Sequence, residues 1–586
     1  EVFYFMLLDN ISSPADLKNL SFDQLVSLAG EIREGLFNRL TKKGGHFGPN
    51  FGFVEATIAL HFVFDSPKDK IVFDVSHQCY PHKMLTGRAY GFFDETQFSK
   101  ISGYSNPDES EHDFFKVGHT STAVSLACGL AKARDLKCQN ENIIAVLGDG
   151  SLSGGEALEA LDFAGEQNSN FIVVLNDNDM SIAENHGGIY KNLKELRESN
   201  GKCASNIFKS FGLDYIYVDK GNDIPSLIKA FQKVKNIDHP IVVHINTLKG
   251  CGYKPAEENK ELWHWTAPFN RQTAERPVSN AENYNSMTAE FLLKKMAADL
   301  TVAFVCPAVP ANFGFTKQNR EKAGKQFIDT GITEEHAIAL VSAMAKNGTK
   351  PVFGTHSSFI QRTYDQLSQD LCINKNPATL LVNTASVWGM NDITHLGIFD
   401  IPLMSNIPEL VYLAPTNCEE YFAMLDWSIE QNKFPVAIRM PCNGIIHTTE
   451  PVQKDYSDLN KYKITQNGRK IAILALGDFF QLGKKTADYI EQQSGQKPTL
   501  INPRYITGLD KELLTELKKT HEKIITLEDG ILDGGFGQKI ASFYGSSPVK
   551  VYNFGLKKEF LDRYNAQEVL KNNHLTPEQI WQDIKN

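Results

Sequence analysis

Asn142-Ile-Ile-Ala-Val-Leu-Gly148-Asp149-Gly150-Ser151-Leu-Ser153-Gly154-Gly155-Glu156 is an apolar run that ends in glycine and acid and then enters a helical pattern. Asn142–Leu147 is too short for a buried helix and has no polar alternation, so it reads as a strand buried on both faces. Short β-branched runs alternate with helical patterns throughout the chain, which points to parallel α/β layers. Gly155–Gln167 is the helix expected to follow. Glycines at the strand's end let the backbone approach a phosphate, and the next helix N-terminus favours an anion. A dinucleotide loop of the form GxGxxG is the rival reading, but it needs glycine where this chain has Ser153.

Asp149 beside a bare diphosphate would repel it. The conflict lifts if Asp149 binds a cation. The next strand, Asn170–Leu175, ends in Asn176-Asp177-Asn178-Asp179-Met180. Adjacent parallel strands bring their carboxyl ends together, so Asp149 and Asn178 can converge. Their oxygens, a backbone carbonyl, diphosphate oxygens and water make an octahedral site suited to Mg²⁺. The bland alternative is a plain turn followed by a solvated loop. This order, after two consecutive strands, favours the metal.

Working outward, further strands are expected at Lys70–Val75 and Pro240–Ile245. Glu275–Ser286 is polar and patternless and reads as a linker. A second set follows at Thr301–Val305, Pro351–Gly354, Ala378–Val382, Glu409–Leu413 and Pro435–Arg439. After the polar stretch Glu450–Asn460 comes a third set, at Lys470–Leu476, Pro498–Ile501, Lys523–Leu527 and Lys550–Tyr552. The expected architecture is α/β: three doubly wound, mostly parallel-sheet domains, over residues 6–274, 287–449 and 461–586. Ligands then belong beyond the carboxyl ends of the strands.

The 586 residues are 22% charged and 42% hydrophobic, which excludes a disordered or low-complexity chain. The net charge of −10 makes nucleic acid or an anionic membrane a poor partner. No apolar run approaches the roughly 18 residues of a membrane span. The start, EVFYFMLLDN, is short, lacks a basic region and meets Asp9 at once, so it is not read as a secretory signal, and Met6 is the expected start. Nine scattered cysteines without a CxxC point to reduced thiols and a cytoplasmic setting. His77-Gln-Cys79-Tyr-Pro-His82 invites a zinc reading, but no second ligand cluster accompanies it.

The GDG…NDN pair resembles the diphosphate-binding motif of thiamine-diphosphate enzymes. Longer stretches are similar to the 1-deoxy-D-xylulose-5-phosphate synthase family: His77-Gln-Cys-Tyr-Pro-His-Lys-Met-Leu-Thr-Gly-Arg88, Gly118-His-Thr-Ser-Thr122, Gly331-Ile-Thr-Glu-Glu-His336, Ser358-Phe-Ile-Gln-Arg-Thr-Tyr-Asp-Gln366 and Thr394-His395. The likeness runs from Met6 nearly to the end. It implies two thiamine-diphosphate-binding domains plus a transketolase C-terminal domain, thiamine diphosphate and Mg²⁺ as cofactors, a homodimer, and small-molecule 2-oxo acid and aldehyde substrates. By motif it implies Asp149, Asn178 and the Met180 carbonyl on the metal. Gly148, Gly150 and Ser151 would line the diphosphate with Lys249 near it, His119 and Ser121 would line the pocket of the reacting centre, Gly118 and Ile182 would also touch the cofactor, and Phe359 would stack on the pyrimidine. Glu334 would be the acid hydrogen-bonded to the aminopyrimidine, buried and with a raised pKa. Taken without the resemblance, Glu334 is as readily a helix N-terminal charge. His46, His77 and His395 match histidines around the reacting centre, where neutral imidazole suits proton transfer. Ser121, His264, His356, Arg362 and Asn391 would face substrate.

The chain departs from the family at the acceptor end. Thr384 and Cys442 stand where the resemblance implies phosphate-binding arginines, His356 where it implies tyrosine, and Asn391 where it implies aspartate. The segment after Met180 is also short for the family. A charge-assisted contact contributes about 1.5–3 kcal/mol, so two lost arginines would weaken phosphate binding by about 3–6 kcal/mol. The expectation is a transferase that decarboxylates pyruvate and joins the two-carbon unit to D-glyceraldehyde 3-phosphate. The alternatives are a paralogue using an unphosphorylated aldehyde, a transketolase-like ketol transfer, or a catalytically silent cofactor-binding protein. A nicotinamide dehydrogenase is the weakest rival.

Overall fold

The computed structural model describes residues 6–277 and 281–585; residues 1–5, 278–280 and 586, which include part of the expected linker, lie outside them. The chain divides into two compact units. One holds the residues before Ala281 together with Gly331–Thr333, and the other holds 281–330 and everything from Glu334 on. Among the described residues, no helix is long and apolar enough to cross a membrane.

The first unit is built on a five-stranded, all-parallel sheet. Its order is Lys70–Phe73, Ile143–Gly148, Phe171–Asp177, Pro240–Asn246 and Asp214–Val218. Alternate residues of each strand enter opposite cores. Ile144, Val146, Ile172 and Val174 pack with helices Phe22–Lys43, Val54–Val63 and Ile224–Val234. Ala145, Leu147, Val173 and Leu175 pack with helices Ala123–Leu136, Gly155–Gly165 and Ile189–Glu198. A strand apolar at every position is what this double burial requires. The edge strand Asp214–Val218 is only partly buried and gives no apolar run in the sequence.

The helix Phe22–Lys43 opens with a capping box between Ser21 and Gln24. It ends at Gly44, whose φ is +75°, where a Cβ would stand 2.5 Å from the Thr266 carbonyl oxygen. Only glycine fits there. The chain then turns into a short antiparallel pairing of Gly45–His46 with Trp265–Thr266.

The second unit carries two sheets. The first has six parallel strands in the order Val411–Leu413, Val436–Arg439, Thr379–Asn383, Lys350–His356, Val302–Cys306 and Phe327–Asp329. The second runs Lys463–Gln466, Thr499–Asn502, Lys470–Ala475, His521–Ile531 and Lys550–Leu556, with only Lys463–Gln466 antiparallel. One apolar core joins Phe353, Leu380 and Val382 to Ala472, Leu474 and Ile501. The Arg439 guanidinium, buried beside it, pairs with Asp400 and Asp529. Asn283 caps the helix Tyr284–Ala298, so the expected linker ends before Ser286. Glu450–Asn460 forms neither helix nor strand, as expected.

Candidate functional site

In the first unit, the register Gly148↔Asn176 sets the ends of two central strands side by side. Gly150 lies so close to Ser181 that a Cβ would meet its hydroxyl at 2.8 Å, and one on Gly154 would meet the Ser121 hydroxyl at 2.1 Å. Gly148 has φ −80° and open space, so neither backbone nor neighbours demand glycine there. Gly154 opens the helix Gly155–Gly165 with no side-chain cap, which leaves its first N–H groups for an anion.

Asp149 is buried. Its Oδ2 accepts from the Met180 N–H at 3.0 Å and from Asn185 Nδ2 at 2.8 Å. Burial, and then the nearby Asp177 carboxylate, push its pKa up. Lys249, also buried, follows the strand Pro240–Asn246; its Nζ donates to the Ser181 carbonyl and lies 3.1 Å from His264 Nδ1. Burial pulls its pKa down, against the attraction of Asp149. Asn178 Oδ1, Asn185 Oδ1 and the Ser181 hydroxyl are buried without a hydrogen-bond partner among the described residues. A disfavoured carboxylate, a disfavoured ammonium and orphaned oxygens fit a site made for a cation and an anion together. The structure engages the Met180 N–H with Asp149. Ile182 is half-buried in the irregular segment that follows.

His46, His77 and His264 form a cluster in the same unit. Their ring centroids lie 5.2 Å (His46–His77), 5.7 Å (His46–His264) and 5.3 Å (His77–His264) apart, and Tyr104 is 5.7 Å from His46. The pairing of Gly45–His46 with Trp265–Thr266 brings His264 in, despite its unfamiliar LWHWT surroundings. Burial drives all three rings toward the neutral form, with His77 at about 3. His77 follows Val75 and Ser76, both in the left-handed region at φ 56° and 62°. Such strain in a β-branched residue persists only where the surroundings hold it.

Gly118 and His119 lie in the loop leading to the helix Ala123–Leu136. Ser121 has φ +73°, and its hydroxyl donates to the Ser151 carbonyl at 2.9 Å, which braces the loop that follows Gly148. Asp74, missed in the sequence, holds this turn by accepting the N–H groups of Ser121, Thr122 and Ala123. His82 bonds His61 at 2.8 Å and Asp113 at 2.7 Å, and Arg88 pairs with the same Asp113.

In the second unit, Glu334 begins the helix Glu334–Lys346 and is buried. Burial lifts its carboxyl to about 7, although Arg362 Nη1, 3.6 Å away, opposes the rise. Phe359 packs edge-on against His356 at 5.2 Å and His395 at 5.6 Å. Asn312 Nδ2 donates to His356 Nε2 at 2.6 Å, and the Thr384 hydroxyl, which donates to the Asn383 carbonyl, lies 2.9 Å from His356 Nδ1. This fixes His356 as the neutral Nδ1–H tautomer. The Thr394 hydroxyl donates to Asp392 and so accepts from His395 Nδ1–H at 2.8 Å. Asn391 is exposed, and its amide donates to the Tyr564 carbonyl. Cys442 is uncharged, its thiol pushed up by burial, and its N–H donates to Asp478.

A family model described as 1-deoxy-D-xylulose-5-phosphate synthase matches residues 8–203 and 199–247. Models of the transketolase pyrimidine binding domain and of the transketolase C-terminal domain match 283–444 and 460–580. A Clostridium beijerinckii protein named 1-deoxy-D-xylulose-5-phosphate synthase is 36% identical over 612 residues, covering 98% of this chain and 98% of its own. Proteins of the same name from Clostridium acetobutylicum and Pelotomaculum thermopropionicum are 35% and 36% identical, covering 97% and 98% of this chain and 97% and 96% of theirs. A transketolase structure from Campylobacter jejuni subsp. jejuni is 16% identical, covers 97% of this chain and 100% of its own, and has a TM-score of 0.44.

Proposed function

The chain belongs to the 1-deoxy-D-xylulose-5-phosphate synthase family, and from that premise we propose that it decarboxylates pyruvate and joins the remaining two-carbon unit to D-glyceraldehyde 3-phosphate. Thiamine diphosphate, when bound, supplies the electron sink that loss of CO₂ from a 2-oxo acid requires. Asp149, the Asn178 oxygen and the Met180 carbonyl would hold Mg²⁺ against the diphosphate. Lys249 would regain its proton beside that anion, and Gly150 leaves room for it.

The single observation that carries the reading is Glu334, a buried acid that keeps its proton near neutral pH. In that state it can donate a hydrogen bond to a ring nitrogen of the aminopyrimidine. Phe359 offers the face on which that ring can stack. The neutral rings of His46 and His77 can hydrogen-bond a substrate hydroxyl and orient it. His395, oriented through Thr394 and Asp392, presents Nε2 as an acceptor. We also read the chain as a cytoplasmic homodimer. The free thiols of all nine cysteines support the compartment, and light scattering tests the assembly.

A second reading, an acceptor without phosphate, is favoured by one observation. The Thr384 hydroxyl is committed to His356 and Asn383, Cys442 carries no charge, and Arg439 is tied to Asp400 and Asp529. The test is CO₂ release from pyruvate with thiamine diphosphate and Mg²⁺, comparing D-glyceraldehyde 3-phosphate with D-glyceraldehyde and identifying products by mass. Preference for the phosphorylated aldehyde, with a five-carbon ketose phosphate formed, supports the first reading. Equal or better use of D-glyceraldehyde supports the second. Cofactor binding without CO₂ release would overturn both and leave a silent binding protein.

A further inference from the structure

His46 and His77 reach one place by separate routes. His46 sits on the short strand that follows the Gly44-Gly45 turn. His77 is delivered by the strained turn at Val75 and Ser76 after the strand Lys70–Phe73. Their rings meet edge-on, a contact that tolerates small shifts. One side chain joins the two backbones. Asn50 Nδ2 donates to the His46 carbonyl and to the His77 carbonyl, each at 2.7 Å, and its Oδ1 accepts from the Tyr80 N–H at 2.9 Å.

We propose that Asn50 is the positioning residue that sets the separation and orientation of His46 and His77; the inference rests on the role given to these histidines above. Asn50 is fully buried in the turn Gly48–Gly52, between Phe47 and Phe51, which stack at 4.0 Å. Its amide uses both N–H donors and its oxygen at once. Aspartate keeps the shape but has no donor, serine has one, and glutamine is a methylene too long. A group of this kind is needed because carbonyls from two different segments cannot bond each other. The third bond, to Tyr80, pins the far side of the loop that carries His77. His77 Nδ1 is buried with no hydrogen-bond partner among the described residues.

The test compares the full-length holoenzyme with Asn50→Ala, the isosteric Asn50→Asp, and Ile58→Ala as a control. Ile58 is fully buried in the helix Val54–Val63 and belongs to the core alone. Tm, Kd for thiamine diphosphate, KM for pyruvate and kcat are measured, together with the ¹³C ring signals of labelled histidine. The expected result is a fall in kcat of about 10²-fold in both Asn50 variants. KM and Kd should move little, the signals of the histidine pair should shift, and Ile58→Ala should lose Tm without losing kcat. Should Asn50→Ala not fold, Asn50→Asp carries the comparison. A kcat in the Asn50 variants no lower than the control's at an equal fall in Tm, or unchanged ring signals, overturns the inference. If the wild type releases no CO₂ from pyruvate, the proposed function fails, and the ring signals alone decide on Asn50.

Discussion

Glu334 keeps its proton in the folded chain up to about pH 7, whereas an ordinary glutamate loses it near 4.5. The sign of the linkage follows. Below the unfolded value both states are protonated and the group is neutral toward stability. As pH rises past 4.5, unfolding releases a proton, and folding loses free energy until the folded group ionises. The total is about 3 kcal/mol for a shift of this size. Glu334→Gln removes the penalty. Without cofactor, the variant should melt with the wild type at pH 4.5 and above it at pH 8, while CO₂ release falls by about 10²–10⁴. Calorimetry at the two pH values checks the first part; a variant less stable at pH 8 would mean that the Arg362 ion pair outweighs burial. Asp149 belongs to the same logic. In Asp149→Asn, thiamine diphosphate with Mg²⁺ should no longer raise the Tm, whereas a ligand at 100 times its Kd adds about 2.7 kcal/mol to the wild type. An unchanged lift in the variant would remove Asp149 from the metal.

An acid just past an apolar strand is the signal that singled out Asp149, and it occurs again at Asp74, after the strand Lys70–Phe73. Here it marks a helix cap. Asp74 accepts three N–H groups at the start of Ala123–Leu136, where Thr122 gives no side-chain cap. Asp74→Ala should cost about 1–2 kcal/mol and free Ser121 from its left-handed turn. Urea denaturation reads the first effect, and weaker thiamine diphosphate binding reads the second, through the Ser121–Ser151 brace. The same signal with two outcomes shows where legibility stops. Ile143–Gly148 and Phe171–Asp177 are apolar at nearly every position and could be read directly. Asp214–Val218, Phe327–Asp329 and Lys463–Gln466 lie at sheet edges with exposed or half-buried positions, so no apolar run announces them. Gly45–His46 is too short for any pattern, yet it carries one histidine of the cluster. Asn50 is hidden for the opposite reason, as a single polar residue inside a long apolar stretch.

Across the whole molecule, three mostly parallel sheets were legible because strand and helix patterns alternate along the entire chain. The merging of the second and third sheets into one compact unit was not. It rests on a shared apolar core and on Arg439 between Asp400 and Asp529, residues from three distant segments. Charge acts at this scale as well. The chain carries −10, from 60 basic and 70 acidic residues. At low salt that field opposes the approach of a dianionic phosphorylated aldehyde and leaves D-glyceraldehyde unaffected. The Debye length shortens from about 30 Å at 0.01 M to about 8 Å at 0.15 M, so long-range repulsion is screened while contacts inside a site persist. Raising salt over that range should therefore increase kcat/KM for D-glyceraldehyde 3-phosphate by about twofold and leave the neutral aldehyde unchanged. A cationic funnel at the acceptor entrance would reverse the sign, because screening would then weaken attraction. With Thr384 bonded to His356 and Asn383 and Cys442 uncharged, the repulsive sign is the expected one. A fall in kcat/KM with salt for the phosphorylated aldehyde alone would mean that other basic groups guide it, and would return the balance to the phosphorylated acceptor.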